Sequence, residues 1–238
     1  MPQKTVFVPD IGELVLAKRR GARNIRLSVT PAGKVRVGLP TWAPYAAGIS
    51  FAKSHLAWIH SQLDKHHRMM LKDGDLVGKY HRINYLYSPD AQRTSVRLKN
   101  PQIIVRSPLP MQSPSVQTAA IRASERALKI EASNLLPQRL DLLAMRHGFE
   151  YKSLQIRKLT SRWGSCSNAK NIRLSYYLIQ LPWPLIDYVL LHELVHTRYL
   201  SHRKDFWTTF TEALPEARQL QKQIRGHNPR LMPASSVA

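Results

Sequence analysis

Two histidines four residues apart, with a glutamate directly after the first, constrain this chain more than any other feature. The segment runs Leu190-Leu191-His192-Glu193-Leu194-Val195-His196. Residues at i and i+4 share one face of an α-helix, so a helix here presents both imidazoles to one metal ion. Glu193, beside the first histidine, can hold a water at that metal and take its proton. The flanks agree with a helix. Pro184 suits a first helical turn, nothing from there to Tyr199 breaks a helix, and Ile186, Val189, Leu190 and Leu194 supply apolar residues at helical spacing. A buried helix without a metal gains nothing from a glutamate buried between two histidines. The pattern predicts a metal-dependent hydrolase, a peptidase by preference, with zinc as the ion.

A hydrolytic zinc site needs a third protein ligand and one open position. His202, six residues after His196, is the first candidate. A helix ending near Tyr199 or Leu200 and a turn at Ser201 bring it back towards the pair. Glu212 and Glu216 are the alternatives, as downstream carboxylates. Phe206 and Trp207 fall on a short amphipathic stretch ending near Pro215, and are expected to pack it against the metal helix and fix His202. An oxyanion developing during hydrolysis needs a donor besides the metal. Arg162 and Tyr199 are the candidates, with Arg162 preferred.

Several runs together carry a likeness: Arg162-Trp163-Gly164-Ser165-Cys166-Ser167, Ile172 to Leu181, Asp187-Tyr188-Val189, His192 to His196, His202 and Phe206-Trp207. They resemble the YgjP-like family of predicted zinc metallopeptidases, relatives of the SprT-like proteases. The resemblance extends over most of the chain, including the helix with Trp58-Ile59 and the Pro137-Gln138-Arg139-Leu140 helix. It implies zinc bound by His192, His196 and His202, with Glu193 as general base. Ser175 stands where the family usually has Asn, and Arg203 follows His202 where Ser is usual; neither is a ligand.

The net charge of +21 is the second unusual feature. Residues 1–100 hold 17 Lys and Arg against 6 Asp and Glu, densest at Lys18-Arg19-Arg20 with Arg23 and Arg26 behind. Such a field attracts anionic partners, so weak, sequence-independent binding to nucleic acid is expected beside a peptide or protein substrate. No zinc-finger, basic-heptad or RNP signature accompanies it. The single cysteine, Cys166, excludes an internal disulfide and reads as a small half-buried residue, not a nucleophile. No run of about eighteen apolar residues predicts a membrane span. Residues 1–10 show no secretory pattern, and a cytoplasmic location is expected. No motif specifies an oligomeric state.

Alternation predicts hairpins at Val6–Val8 with Glu13–Leu16, at Ile25–Val29 with Val35–Leu39, and at Val96–Leu98 with Ile103–Val105, with short strands at Val77 and Ile83–Tyr87. One helix is expected from about Pro44 to Met70, closing on His66 and His67, which as neighbours make a poor joint metal pair. Ser107–Ser115, with its three prolines, reads as a linker. Val116 to His147 reads as helix, kinked or interrupted at Pro137 and capped by Gly148. Strands follow at Leu154–Ser161 and Ile172–Ser175, with Gly164–Asn171 a turn-rich connection between them. One of these two strands is expected nearest the metal, where an extended substrate can pair with its edge. No internal repeat is visible. The expected fold is α+β: a β-rich region 1–110, a zincin-like region 111–225 of helices on a small sheet, and a disordered tail 226–238. Two other function classes fit the same residues. One is a metal-dependent hydrolase of a non-peptide amide. The other is a basic nucleic-acid-associated binding protein with a structural metal site, against which an intact Glu193 speaks.

Overall fold

The structure is a computed structural model that describes residues 3–30, 33–68 and 70–232, with the backbone alone at 65–68. The side chains of His66 and His67 lie outside the described residues. Contacts divide the chain into two compact units, Met1–Met70 with Pro110–Thr118, and Leu71–Leu109 with Ala119–Ala238.

In the first unit, β1 (Gln3–Val8) and β2 (Gly12–Arg19) form the expected hairpin, turned through Asp10 and Gly12 at positive φ. β3 (Arg26–Val29) and β4 (Val35–Pro40) form a second hairpin, and β2 pairs with β4 in parallel, giving the order β1-β2-β4-β3. Side chains alternate across a strand. Leu14 and Leu16 on β2 and Val35, Val37 and Leu39 on β4 therefore share one buried face, and Ala52 and Ile59 belong to the same core. α1 (Tyr45–Lys53) comes very close to that face at Gly48, whose missing Cβ would lie 3.0 Å from Leu16 Cδ2. α2 follows at Leu56–Arg68. The single helix expected over 44–70 is thus two. Ser54 Oγ donates to Phe51 O and His55 Nδ1 lies 2.9 Å from the same oxygen, while His55 N–H turns to Ala52 O. Side chains take the carbonyl that the next helical turn needs.

The second unit holds β5 (Leu76–Val77), β6 (His81–Tyr87), β7 (Ser95–Lys99) and β8 (Gln102–Ser107) in the order β5-β6-β8-β7. Its polarity repeats that of the first sheet: outer pairs antiparallel, central pair parallel. This is a repeat of topology that no repeated motif in the sequence announces. Contacts group this sheet with residues Ala119–Ala238 and not with the first sheet. α3 (Pro114–His147) begins in the first unit and runs on through the second. There its fully buried Glu131 accepts main-chain N–H bonds from Lys79, Tyr80 and His81, and lies 2.6 Å from His81 Nδ1. Gly78, at φ +72, leaves the room, since a Cβ there would be 2.2 Å from Glu131 Oε2.

The buried stripe of α3, Ala120, Ala123, Ala127, Leu128, Ala132, Leu136 and Leu140, continues across Pro137, and the helix is not interrupted there. Gly148 caps it at φ +66, with Phe149 N–H reaching back to Ala144 O, as a left-handed cap requires. Ser107–Ser115 is not a loose linker. Ser107 is buried and bonds Thr94 Oγ1 and Leu109 N–H, and Met111 is buried too.

The third sheet contains β9 (Ser153–Arg157), β10 (Gly164–Cys166) and β11 (Asn171–Ser175), ordered β10-β11-β9. β10 was expected to be a turn; it is an edge strand, antiparallel to β11. A 3₁₀ turn at Tyr176–Gln180 leads into α4 (Trp183–Val195), followed by α5 (Lys204–Ala213) and α6 (Ala217–Ile224). The tail expected to be disordered from 226 is ordered through 232. Gln180 donates to Arg230 O and accepts from Met232 N–H, and Met232 is buried. Residues 233–238 lie outside the described residues. No helix among the described residues is long and apolar enough to cross a membrane.

Candidate metal centre

α4 is apolar on nearly every side: Leu185, Ile186, Val189, Leu190, Leu191, Leu194 and Val195 are all buried. A helix of that kind sits inside its unit and holds its few polar groups rigidly. It packs against β10, α5 and α6. It ends at Val195, earlier than the expected Tyr199, and His196 is its C-cap. The chain then tightens into i→i+3 turns, Thr197 N–H to Leu194 O and Arg198 N–H to Val195 O. Arg198 anchors this turn, with its guanidinium on Gly148 O and over the Phe149 ring.

That turn sets the chemistry of His196. Nδ1 lies 2.9 Å from Tyr199 O. A carbonyl only accepts, so Nδ1 carries the proton and Nε2 keeps its lone pair. His196 Nε2 lies 3.1 Å from His192 Nε2, and His202 Nε2 also lies 3.1 Å from His192 Nε2. The three imidazoles converge as one group able to hold a metal ion. Tetrahedral nitrogen ligands at about 2.0–2.1 Å from zinc stand about 3.3 Å apart, so the spacing fits such an ion. Burial and the charges of His196 and His202 push His192 down to about 3, which keeps it neutral and able to donate a lone pair. Phe206, fully buried on α5, packs its ring 5.1 Å from His192 and 4.7 Å from each of His196 and His202. It braces the exposed His202 as the spacing suggested. Glu212 and Glu216, the alternative third ligands, are not in the cluster.

Glu193 points elsewhere than the three rings. It is 5% exposed, and its Oε2 has no hydrogen-bond partner. Its other oxygen lies against β10, where a Cβ on Gly164 would come within 2.7 Å of Oε1. Burial pushes its carboxyl up to about 8, and the Arg162 guanidinium acts in the opposite direction. Arg162 is exposed and acts on Glu193 through space, without a hydrogen bond to it. Tyr199 contributes its carbonyl to the site. Cys166, on the same short strand, has its thiol pushed up to about 11 by burial and by Glu193, which leaves it protonated and a poor nucleophile.

Two features of the site lie outside the sequence expectations. The strand beside the metal helix is β10, not Leu154–Ser161 or Ile172–Ser175. Gly164 has a role that no spacing rule reveals, although a glycine inside a strand marks a close approach. The two departures noted in the sequence differ in what their side chains do. Ser175 Oγ donates to Leu159 O and accepts from Tyr177 N–H, while Arg203 stands at the N-cap position of α5 with main-chain bonds alone, its N–H to Ser201 O and its carbonyl to Trp207 N–H.

Residues 23–227 match the YgjP-like family, described as a YgjP-like metallopeptidase domain. The chain belongs to the YgjP-like family. Its domain is a metallopeptidase domain, which makes the protein a peptidase hydrolase. No curated protein sequence matches the chain. Among solved structures, it is similar to the metallopeptidase zymogen of Pyrococcus abyssi abylysin, at 23% identity over 41% of this chain and 99% of that one, with a TM-score of 0.37. It is also similar to the metallopeptidase zymogen of Methanocaldococcus jannaschii jannalysin, at 20% identity over 38% and 93%, with a TM-score of 0.35. Within this YgjP-like chain, all three histidines and Glu193 fall inside the matched residues.

Proposed function

We propose that this YgjP-like protein hydrolyses peptide bonds with zinc held by His192, His196 and His202 and with Glu193 as general base. One observation carries the reading: three Nε2 atoms converge while the neighbouring carboxylate, buried and with a free oxygen, stays out of the ligand set. Three imidazole donors with an open position suit catalytic zinc. When bound, the ion supplies Lewis acidity, which polarises a carbonyl and acidifies water. Its charge, with that of Arg162, favours the ionised form of Glu193, whose burial alone disfavours it.

The chain's own residues do the rest. Glu193 takes a proton from the attacking water at its free oxygen and returns it to the leaving nitrogen. Gly164 fixes where that carboxylate sits. Arg162 is the cationic donor we assign to the developing oxyanion. The outer edge of β10 offers main-chain groups to an extended peptide, and a peptide substrate follows from that edge. We also place the protein in the cytoplasm, since its one cysteine needs no oxidising compartment.

The deciding test is casein and peptide-library turnover by purified protein, with and without a chelator, together with metal analysis. We expect close to one zinc per chain and chelator-sensitive cleavage. Protein that stays metal-free in zinc-supplemented medium sinks the site. Zinc-loaded protein that cleaves small amides but no peptide moves the substrate to a non-peptide amide.

A further inference from the structure

The first unit carries a cavity of about 300 Å³ that has nothing to do with the histidines. It is lined by Arg19, Arg23, Arg26 and Arg36, with Asn24 and Gly38 among the rest, and no carboxylate lines it. Among the described residues none of the four guanidinia is in an ion pair, and Arg36 Nε is buried without a partner. Four like charges around one small space repel one another, and an anion seated among them would offset that repulsion.

The sheet explains how they come together. Val35, Val37 and Leu39 turn into the core, so Arg36 and Gly38 on the same strand face away from it. Arg26 on β3 pairs across from Gly38, and Arg19 on β2 pairs with Pro40. Gly38 forms the open floor. Its φ is not one that requires glycine, and a Cβ there would meet nothing closer than 3.8 Å, at Arg19 Cδ, Arg19 Nε and Arg26 O. Neither backbone strain nor a clash demands a glycine. What its missing side chain leaves is space between arginines, at a strand-interior position where glycine otherwise weakens the sheet.

Trp42 lies two residues beyond Pro40, the register partner of Arg19, and is 76% exposed. A large exposed aromatic just past the end of β4, the strand whose Arg36 and Gly38 line a guanidinium-rich cavity, supplies with that cavity the two parts of a single-strand site, a platform for a base and a cationic seat for phosphate. We propose that this cavity binds a phosphodiester of single-stranded nucleic acid, with a base stacked on Trp42. A duplex has no free base face to offer, and a small phosphate ion has no use for the tryptophan. The proposal is independent of the peptidase reading.

The test is fluorescence anisotropy of a fluorescein-labelled oligothymidylate titrated with the full chain across a salt series, in the presence of a chelator so that the metal centre plays no part. Arg23→Ala with Arg26→Ala is expected to weaken binding about tenfold or more and to lower the salt slope by roughly 0.7 for each lost phosphate contact. Trp42→Ala is expected to cost about tenfold with an unchanged slope. Gly38→Leu fills the cavity at constant charge and should weaken binding as strongly. Arg97→Ala with Lys99→Ala removes the same charge from exposed positions on β7 and should change affinity by less than about twofold. Circular dichroism checks each fold; if the arginine pair fails to fold, Gly38→Leu and Trp42→Ala decide. The proposal is overturned if the β7 control loses as much as the arginine pair, or if Gly38→Leu binds like wild type, since both leave diffuse charge alone. It is equally overturned if inorganic pyrophosphate displaces the oligonucleotide while Trp42→Ala binds normally, which makes the cavity a site for a small phosphate.

Discussion

Gly164 on β10 and Glu193 on α4 meet so closely that a Cβ at 164 would lie 2.7 Å from Glu193 Oε1 and 3.0 Å from its Cδ. Backbone conformation does not ask for glycine there; the carboxylate does. An edge strand and a buried helix thus share one contact, which places the proposed base and the proposed substrate edge together.

Gly164→Ala should therefore displace the Glu193 carboxylate while leaving the three histidines in place. We expect turnover to fall by about one to two orders of magnitude, less than the roughly 10²–10⁴-fold that general-base catalysis contributes in full, because the carboxylate is displaced and not removed. Zinc content should be unchanged, because no ligand moves. Full activity with the alanine in place would show that the position of Glu193 at β10 does not matter.

Ligand and base should separate cleanly. Glu193→Gln keeps the shape of the side chain and loses its basicity, so metal should stay bound while hydrolysis drops by about 10²–10⁴-fold. His202→Ala should weaken the metal as well as activity. Inductively coupled plasma analysis after dialysis reads the first effect, and peptide turnover reads the second. Zinc lost from Glu193→Gln but retained in His202→Ala would reverse the assignment.

The carboxyl of Glu193 also links pH to the stability of the metal-free chain. It is raised from 4.5 to about 8 on folding, chiefly by burial. The folded state therefore holds a proton that the unfolded state has already lost between these values. The contribution is fully present below about 4.5 and disappears as pH rises through about 8. In chelator, wild type should lose stability relative to Glu193→Gln across that window, by at most about 1.4 kcal/mol per pH unit. Urea melts of both proteins at several pH values give the difference. Parallel curves would mean that the carboxylate is solvated in the metal-free fold.

The sequence made the His192–Glu193–His196 triplet legible because helical period alone puts two ligands on one face. His202 followed because a single turn returns it. Gly164 and Glu131 were not legible as partners, since each needs a residue from a distant element to reveal its purpose. The same holds for β10, three residues long, whose pairing with β11 outweighs its turn-like composition. The break between α1 and α2 came from side chains competing for the Phe51 carbonyl, a local contest that apolar periodicity does not register. Hairpins and helix caps, decided by neighbours in sequence, came through well.

Glu131 offers a stability prediction away from the metal centre. Its carboxylate is 0% exposed, and three main-chain donors surround it beside His81 Nδ1 at 2.6 Å from Oε1: Lys79 N–H to Oε2 at 2.5 Å, and Tyr80 and His81 N–H to Oε1 at 3.2 and 3.1 Å. Glutamine keeps the size but replaces one accepting oxygen with an NH₂ that can only donate. One main-chain N–H then faces another donor in a buried space, and the charge that strengthened all of these bonds is gone. Glu131→Gln should cost about 3 kcal/mol of stability, seen as a lower urea midpoint at unchanged slope. Gly78→Ala should act in the same direction, because its Cβ would lie 2.2 Å from Oε2 at a backbone of φ +72. Neither change touches the histidines, so zinc affinity of the folded protein should hold. A Glu131→Gln variant within 1 kcal/mol of wild type would mean that the cradle of main-chain donors has other acceptors to turn to.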